Sequence, residues 1–147
     1  RFTLLVSRAP LGQAPPLALV PGPLPPASAV LVRVPEPVSV IDLIDVQSTS
    51  HSWNFNRALA AVSRAECGVI VLLHRPESAA DLLARVQPGA SAAAPRNALR
   101  TYGIGAQILR DLKVTKMRLL SKPRRMPSMA GFDLQVTGYL QPEDEQH

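Results

Sequence analysis

The residues with the clearest chemical potential are cations concentrated in one stretch. Residues 96–125 contain nine lysines and arginines and one acidic residue, Asp111. The nine are Arg96, Arg100, Arg110, Lys113, Lys116, Arg118, Lys122, Arg124 and Arg125. Such a density of positive charge would attract phosphate, on a nucleotide or along a nucleic acid. A solvated basic face and a surface that docks on an acidic neighbour are the other interpretations.

Residues for metal binding and nucleophilic chemistry are few. The chain has a single cysteine, Cys67, which excludes an intrachain disulfide and cannot alone form a thiolate zinc site. His51, His74 and a carboxylate would be the remaining ligand set. The longest apolar runs, such as residues 69–73, are far shorter than the roughly 18 residues that a membrane span needs. With no secretory signal, we expect a cytoplasmic protein that does not contact a membrane.

The elements that must position these residues form one domain with an aliphatic core. The chain has 147 residues, of which 46% are hydrophobic and only 4% aromatic. Nine of the 15 prolines precede residue 38. Because proline lacks an N–H, this part should form short strands and rigid turns. We predict strands at Thr3–Val6, Leu17–Val20 and 30–34.

A mixed α/β pattern follows the proline-rich part. We predict a helix over 53–65 with Ser52 as its N-cap, then a strand over 69–74 that is buried on both faces. A helix over 78–86 and a loop of small residues over 87–97 come next.

The last third contains one helix and two strands. Thr101 is a candidate cap for a helix whose Ile104, Ile108 and Leu112 would face the core. Strands are predicted at 114–120 and 132–140. We expect residues 143–147 to be a disordered acidic tail.

The stretch "YGIGAQILRDLKVTKMRLLSKPRRMPSMAGFDLQVTGY", residues 102–139, resembles the C-terminal part of GTP cyclohydrolase II, a zinc enzyme that opens GTP to start riboflavin synthesis. The resemblance extends back through "VLVRV" and "GVIVLL". It implies a GTP cyclohydrolase II-like domain over residues 1–142, with an α/β (α+β) fold in which a mixed sheet is flanked by helices. Such a domain often follows a 3,4-dihydroxy-2-butanone 4-phosphate synthase domain. We expect that synthase domain to be absent from this chain and the protein to be a homodimer.

The zinc ligands of that family are not matched here. The family has a cysteine, ten residues, then Cys-x-Cys, after the motif "VRVHSE". Val38, Thr49 and His51 stand in register with those positions. Valine has no donor atom and threonine is a poor zinc ligand. We therefore expect no zinc and no other cofactor.

The family's phosphate-binding motifs are also altered. Residues 35–37, "PEP", replace "HSE", and residues 75–82, "RPESAADL", replace the glycine-rich "QEGRGIGL". Glu77 and Asp81 would repel a triphosphate by about 1 kcal/mol or more at short range.

The catalytic pair of the family is broken. It uses an aspartate as proton acceptor and an arginine, two residues later, as the proposed nucleophile. The corresponding residues are Ala98 and Arg100. Arginine stays protonated in proteins and is not a nucleophile without a base, so we expect no catalytic residue.

Some binding features persist in the resemblance. Ser121 and Arg125 replace a threonine and a lysine that contact the nucleotide, and they retain a hydroxyl and a cation. Gly103 and Gly105 suit close helix packing or a tight helix start better than a phosphate cradle. Lys113 replaces the usual glycine after the helix, a change with little effect if the turn avoids positive φ.

Three functions follow from these observations. The favoured hypothesis is a catalytically degenerate domain without zinc that serves a riboflavin-biosynthesis protein as a structural, regulatory or dimerisation module. The first alternative is an active GTP cyclohydrolase II with an altered site, which would yield the ring-opened pyrimidine, formate and diphosphate. The second is a phosphate-, nucleotide- or RNA-binding module. Tyr102 is the only aromatic residue of the basic stretch, which argues against nucleic acid.

Overall fold

The computed structural model describes residues 1–6, 16–25, 28–34, 53–73, 78–87, 98–123, 131 and 133–142. Within them lie six strands and three helices. The strands are β1 (Thr3–Val6), β2 (Leu17–Val20), β3 (Ala29–Arg33), β4 (Gly68–Leu72), β5 (Lys116–Leu120) and β6 (Gln135–Leu140). The helices are α1 (Phe55–Arg64), α2 (Ala79–Val86) and α3 (Ala98–Asp111).

The strands form one mixed sheet in the order β1-β2-β4-β3-β5-β6. The four strands β4, β3, β5 and β6 are parallel, whereas β1 and β2 add to one side as antiparallel neighbours. A mixed sheet with helices confirms the α/β fold predicted from the sequence.

The core has two layers, one on each face of the sheet. On the α3 face, Val30 and Val32 of β3, together with Val34 directly after the strand, pack with buried residues of α3 such as Leu109. Leu31, from the same strand, packs on the α1 face with α1 and neighbouring strands. This alternation is the period-two pattern of a strand that is covered on both sides.

Helix α1 begins at Phe55, so the predicted start at residue 53 is corrected. Asn54 is the N-cap: its backbone is extended, and its side-chain oxygen accepts a hydrogen bond from the Arg57 N–H at 2.8 Å. Asparagine is among the strongest N-cap residues. Ser52, the predicted cap, lies outside the described residues.

Helix α3 differs from its prediction at its start and in its buried face. It begins at Ala98, so Thr101 lies within the helix instead of capping it; alanine, leucine and arginine at 98–100 are good helix formers. Ile104 is 38% exposed, whereas Gly105 and Ala106 are buried. Compared with the prediction, the helix is rotated about its axis, because Gly105 lets the helix backbone approach the sheet closely.

The turn after α3 adopts the backbone conformation that favours glycine. Lys113 has a φ of 62°, its N–H donates to the carbonyl of Arg110, and the Val114 N–H donates to the carbonyl of Leu109. These two bonds form a Schellman motif, whose left-handed position is usually glycine. The lysine is therefore unfavourable here, because the turn does not avoid positive φ.

The other elements follow the predictions, with bounds that are identical or differ by one to three residues. Strands β5 and β6 each begin two or three residues later than predicted, and α2 forms behind the N-cap Ser78. Helix α2 leaves Leu83 and Val86 each 65% exposed. Residues 88–97 of the predicted loop and the predicted tail at 143–147 lie outside the described residues. Within the described part, no helix is long and apolar enough to span a membrane.

Candidate functional site at the carboxyl edge of the sheet

The topology places a switch point, which we call the crevice, at the carboxyl ends of β3 and β4. The helix that follows β3, α1, packs on one face, whereas α3, after β4, packs on the other. In open α/β sheets, ligands bind where the connections from adjacent parallel strands diverge in this way. The chain leaves the sheet at this edge after Val34 and after Leu73.

Two side chains tie the carboxyl edge together on the α1 face. Arg33 donates from Nη1 to the carbonyl of Leu120 at 2.9 Å, and from Nη2 to the carbonyl of Trp53 at 3.2 Å. The Trp53 Nε1–H donates to the carbonyl of Leu140 at 2.9 Å. The ends of β3, β5 and β6 are thus joined through one arginine and one tryptophan.

The sequence predicts Trp53 as a core or dimer contact, but the hydrogen bonds of Trp53 and Arg33 were not predicted. Trp53 is only 2% exposed, and the Arg57 guanidinium carbon lies 5.8 Å from the centre of its ring. The signal was present in β3: valines at 30, 32 and 34 fill one face, so Arg33 must point to the other, beside Leu31. An arginine on the inner face of a buried strand needs partners.

Among the sequence-predicted site residues, Ser121 lies at the carboxyl edge. It follows β5 directly, is half-buried, and its hydroxyl donates to the carbonyl of Lys122 at 3.0 Å. Ala98 and Arg100 lie in the first turn of α3, and the structure describes only their backbone. Arg125, the other predicted nucleotide contact, lies outside the described residues.

Asp81 has a local structural role. Its carboxylate accepts a hydrogen bond from the Ser78 N–H at 3.0 Å, and the Ser78 hydroxyl accepts one from the Asp81 N–H at 3.1 Å. This reciprocal pair is a capping box at the start of α2. The acidic residue that departs from the phosphate-binding motif is therefore used to begin a helix. Glu77 lies outside the described residues.

Cys67, the single thiol, lies at the opposite edge of the sheet. It precedes β4, is 8% exposed, and its Sγ donates to the carbonyl of Ala29 at 3.4 Å. Burial raises the pKa of the thiol, and the negative charge of Glu66 raises it further. A protonated, buried thiol at the amino edge does not suit metal binding.

The residues do not fit the family's zinc centre. Val38, Thr49 and His51, in register with the three family cysteines, lie outside the described residues, as does His74. Within the described part, no three potential metal ligands of the His, Cys, Asp and Glu types lie together. With one cysteine in the chain, a three-thiolate centre cannot form.

The two glycines of α3 have different environments. A Cβ on Gly105 would lie 2.8 Å from a methyl carbon of Val34, so this glycine permits close packing of α3 on β3. A Cβ on Gly103 would meet no atom within 4 Å. The packing interpretation is therefore supported for Gly105 alone.

Four described cations of the basic stretch lie on two different sides of the sheet. Arg110 and Lys113 are exposed at the end of α3, on the α3 side of the sheet. Lys116 and Arg118 point to the α1 face, because Met117 between them is buried with the α3 layer. The sheet separates the two pairs, which weakens the prediction of a single continuous phosphate-binding patch.

Comparisons with known proteins agree with this fold. The sequence model of the GTP cyclohydrolase II family matches residues 1–141. A 3,4-dihydroxy-2-butanone 4-phosphate synthase of Neisseria meningitidis serogroup A is 44% identical over 127 residues, or 86% of this chain and 35% of that protein. The protein of the same name from Pseudomonas aeruginosa is 44% identical over 131 residues, or 86% of this chain and 36% of that protein.

A more distant relative has a different name. The riboflavin biosynthesis protein RibBA of Bacillus mycoides is 31% identical over 135 residues, covering 82% of this chain and 34% of that protein. The chain thus spans 34–36% of the length of these three relatives. Because the family match extends over nearly all of its residues, the chain belongs to the GTP cyclohydrolase II family.

Proposed function

We propose that this chain is a catalytically inactive GTP cyclohydrolase II-like domain of a riboflavin-biosynthesis protein. It binds no zinc and does not hydrolyse GTP. It is joined to a 3,4-dihydroxy-2-butanone 4-phosphate synthase domain and acts as a structural and dimerisation module of that cytoplasmic enzyme.

The cysteine content carries this proposal. The family's zinc activates a water, and a catalytic zinc site needs three protein ligands with an open fourth position. Only Cys67 is a thiol, and it is buried at the amino edge of the sheet, away from the crevice. Val38 contributes no donor atom, so the resembling positions do not replace the lost ligands.

The other substitutions support the same conclusion. Ala98 stands where the resemblance places the proton acceptor, which leaves Arg100 without a base. Asp81 stands in the former phosphate loop and caps α2. Each loss removes a separate contribution to transition-state stabilisation, so no single compensating residue would restore the reaction.

The relatives support the link to a synthase. Those from Neisseria and Pseudomonas carry the synthase name at 44% identity, and this chain matches about a third of each. A domain that keeps a buried two-layer core while its motifs diverge is suited to a structural role.

Zinc content and GTP turnover test the inactive state. We expect purified protein to contain far less than one equivalent of zinc and to release no formate from GTP. A control variant with Val38→Cys, Thr49→Cys and His51→Cys restores the family spacing and should retain zinc without turnover, because Ala98 still lacks the base. Stoichiometric zinc with GTP turnover in the unmodified protein would contradict the proposal.

Residual nucleotide binding is tested separately. Calorimetric titration with GTP should give little heat, and Ser121→Ala with Arg125→Gln should abolish any signal that remains. Binding that survives both substitutions would place the ligand elsewhere.

The structural role is tested in the full-length synthase. Removing this domain should lower the thermal midpoint of the synthase and convert dimers to monomers in sedimentation experiments, while the synthase active site remains intact. A truncated synthase with unchanged stability and oligomeric state would argue against the role.

A further inference from the structure

Helix α1 leaves part of its face of the sheet uncovered. It packs over β4 and β3, and Trp53 covers the carboxyl ends of β5 and β6. Within the described part of the chain, no element covers the amino-terminal halves of β5 and β6 on this side. We call this surface the β5–β6 face; it consists of Lys116, Arg118, Gln135 and Gly138.

This exposure is unusual for its position in the sheet. Strand β5 lies between β3 and β6, so it is not an edge strand, and its Met117 and Leu119 are buried on the other face. Parallel strands are normally covered on both faces. Here the uncovered side carries Lys116 and Arg118, so a covering partner must be charged and not apolar.

The two cations have no charged partner within the described part of the chain. No side-chain ion pair or side-chain hydrogen bond joins Lys116 or Arg118 to another described residue. Both side chains are exposed. They therefore remain available to an external anion.

The geometry suits an extended acidic segment. Lys116 and Arg118 are two residues apart on one strand, about 6.6 Å along it, which equals the spacing of alternate side chains in an extended peptide. Gly138 pairs with Arg118 across β5 and β6, and a Cβ there would meet no atom within 4 Å. This opening lets a partner side chain approach the sheet backbone beside the guanidinium.

We propose that the β5–β6 face docks an extended acidic segment of a partner protein, with alternate carboxylates on Lys116 and Arg118. Charge argues against a second copy, because a symmetric contact would oppose two lysines and two arginines. Single-stranded nucleic acid is disfavoured because its bases would find no aromatic side chain to stack on. The described residues of this face include no aromatic side chain, and Tyr139 packs in the α3 layer.

The test uses the 147-residue chain and a fluorescent dodecapeptide of alternating glutamate and serine. The variant Lys116→Gln/Arg118→Gln is compared with Arg110→Gln/Lys113→Gln, which removes the same charge from the α3 side. The first variant should weaken binding at least about tenfold, and the control less than about twofold. Circular dichroism melting verifies that both variants fold.

Three results would overturn the proposal. One is equal weakening by the two variants, or no binding of the peptide at low salt, because the β5–β6 face would then have no specific role. Another is tighter binding of an RNA of matched charge that is lost only in the first variant. The third is a concentration-dependent dimer that the first variant alone abolishes, which would make a second copy the occupant.

Discussion

Arg33 and Trp53 act as connectors between segments distant in sequence. Arg33 bonds to the carbonyl of Leu120, and Trp53 to the carbonyl of Leu140, each 87 residues away. The two acceptors belong to the last residues of β5 and β6. The side chains therefore stabilise the edge of the sheet at which the crevice lies.

Replacing Arg33 should be much more damaging than replacing its exposed neighbour. Arg33→Met removes two hydrogen bonds and leaves the Leu120 and Trp53 carbonyls without this donor, which should lower the free energy of unfolding by about 2–3 kcal/mol. Arg57→Met removes only an exposed contact with the Trp53 ring and should lower it by less than about 1 kcal/mol. Urea denaturation measures both. Equal losses would show that Arg33 does not hold the edge.

The raised pKa of the Cys67 thiol predicts that the free energy of unfolding depends on pH. Its pKa is raised in the folded state, so the protonated thiol is favoured there. The stabilisation is fully present below the ordinary thiol pKa of about 8.5 and is lost as the pH rises through the higher folded pKa. The advantage of the unmodified protein over Cys67→Ala should therefore shrink between pH 7 and about pH 9.5 in urea denaturation with reductant. A constant difference would contradict this prediction.

At the scale of elements, substitutions at the two glycines of α3 test what each glycine contributes to stability. Gly105→Ala places a methyl group 2.8 Å from Val34 and should destabilise the protein by about 1–3 kcal/mol. Gly103→Ala meets no neighbour and should stabilise the helix by about 0.5–1 kcal/mol. Thermal denaturation compares the pair. In a Val34→Ala background the cost of Gly105→Ala should fall, and an unchanged cost would exclude the steric explanation.

The turn after α3 offers a stabilising substitution. Lys113 is left-handed at φ 62°, a conformation that costs an L-residue roughly 1–2 kcal/mol relative to glycine. Lys113→Gly should therefore raise the free energy of unfolding by about 0.5–1 kcal/mol, after the larger entropy of glycine in the unfolded chain is subtracted. Lys113→Ala removes the same charge without relieving strain. If the alanine variant is equally stable, the backbone is not strained.

At the scale of the whole molecule, stability is distributed unevenly across the sheet. All four residues of β1 are exposed, whereas Val69, Ile70 and Val71 of β4 are fully buried. In native-state hydrogen exchange, β1 amides should exchange at least about 100-fold faster than those of β4, because β1 opens without global unfolding. Matched exchange rates would indicate that β1 is protected as part of the main cooperative unit.

Part of this architecture follows directly from the sequence. Alternating valines predict β3, and the apolar run after Gly68 predicts β4, because buried strands need little more than β-branched residues in register. The rotated face of α3 could not be predicted, since it depends on the contact of Gly105 with Val34 across 71 residues of chain. The Trp53 bond to Leu140 likewise depends on which strands become neighbours. Of the candidate site, Ser121 falls at the carboxyl edge, whereas Val38, Thr49, His51 and Arg125 remain predictions.

The bond from Trp53 to Leu140 also sets an order of events during synthesis. The tryptophan leaves the ribosome long before its acceptor, which belongs to the last strand of the sheet. Until β6 has been translated, the indole N–H and the nearby end of β5 lack their final partners, so the carboxyl edge of the sheet cannot take its mature shape. Folding of this domain therefore cannot be completed before β6, the last of the six described strands along the chain, joins the sheet.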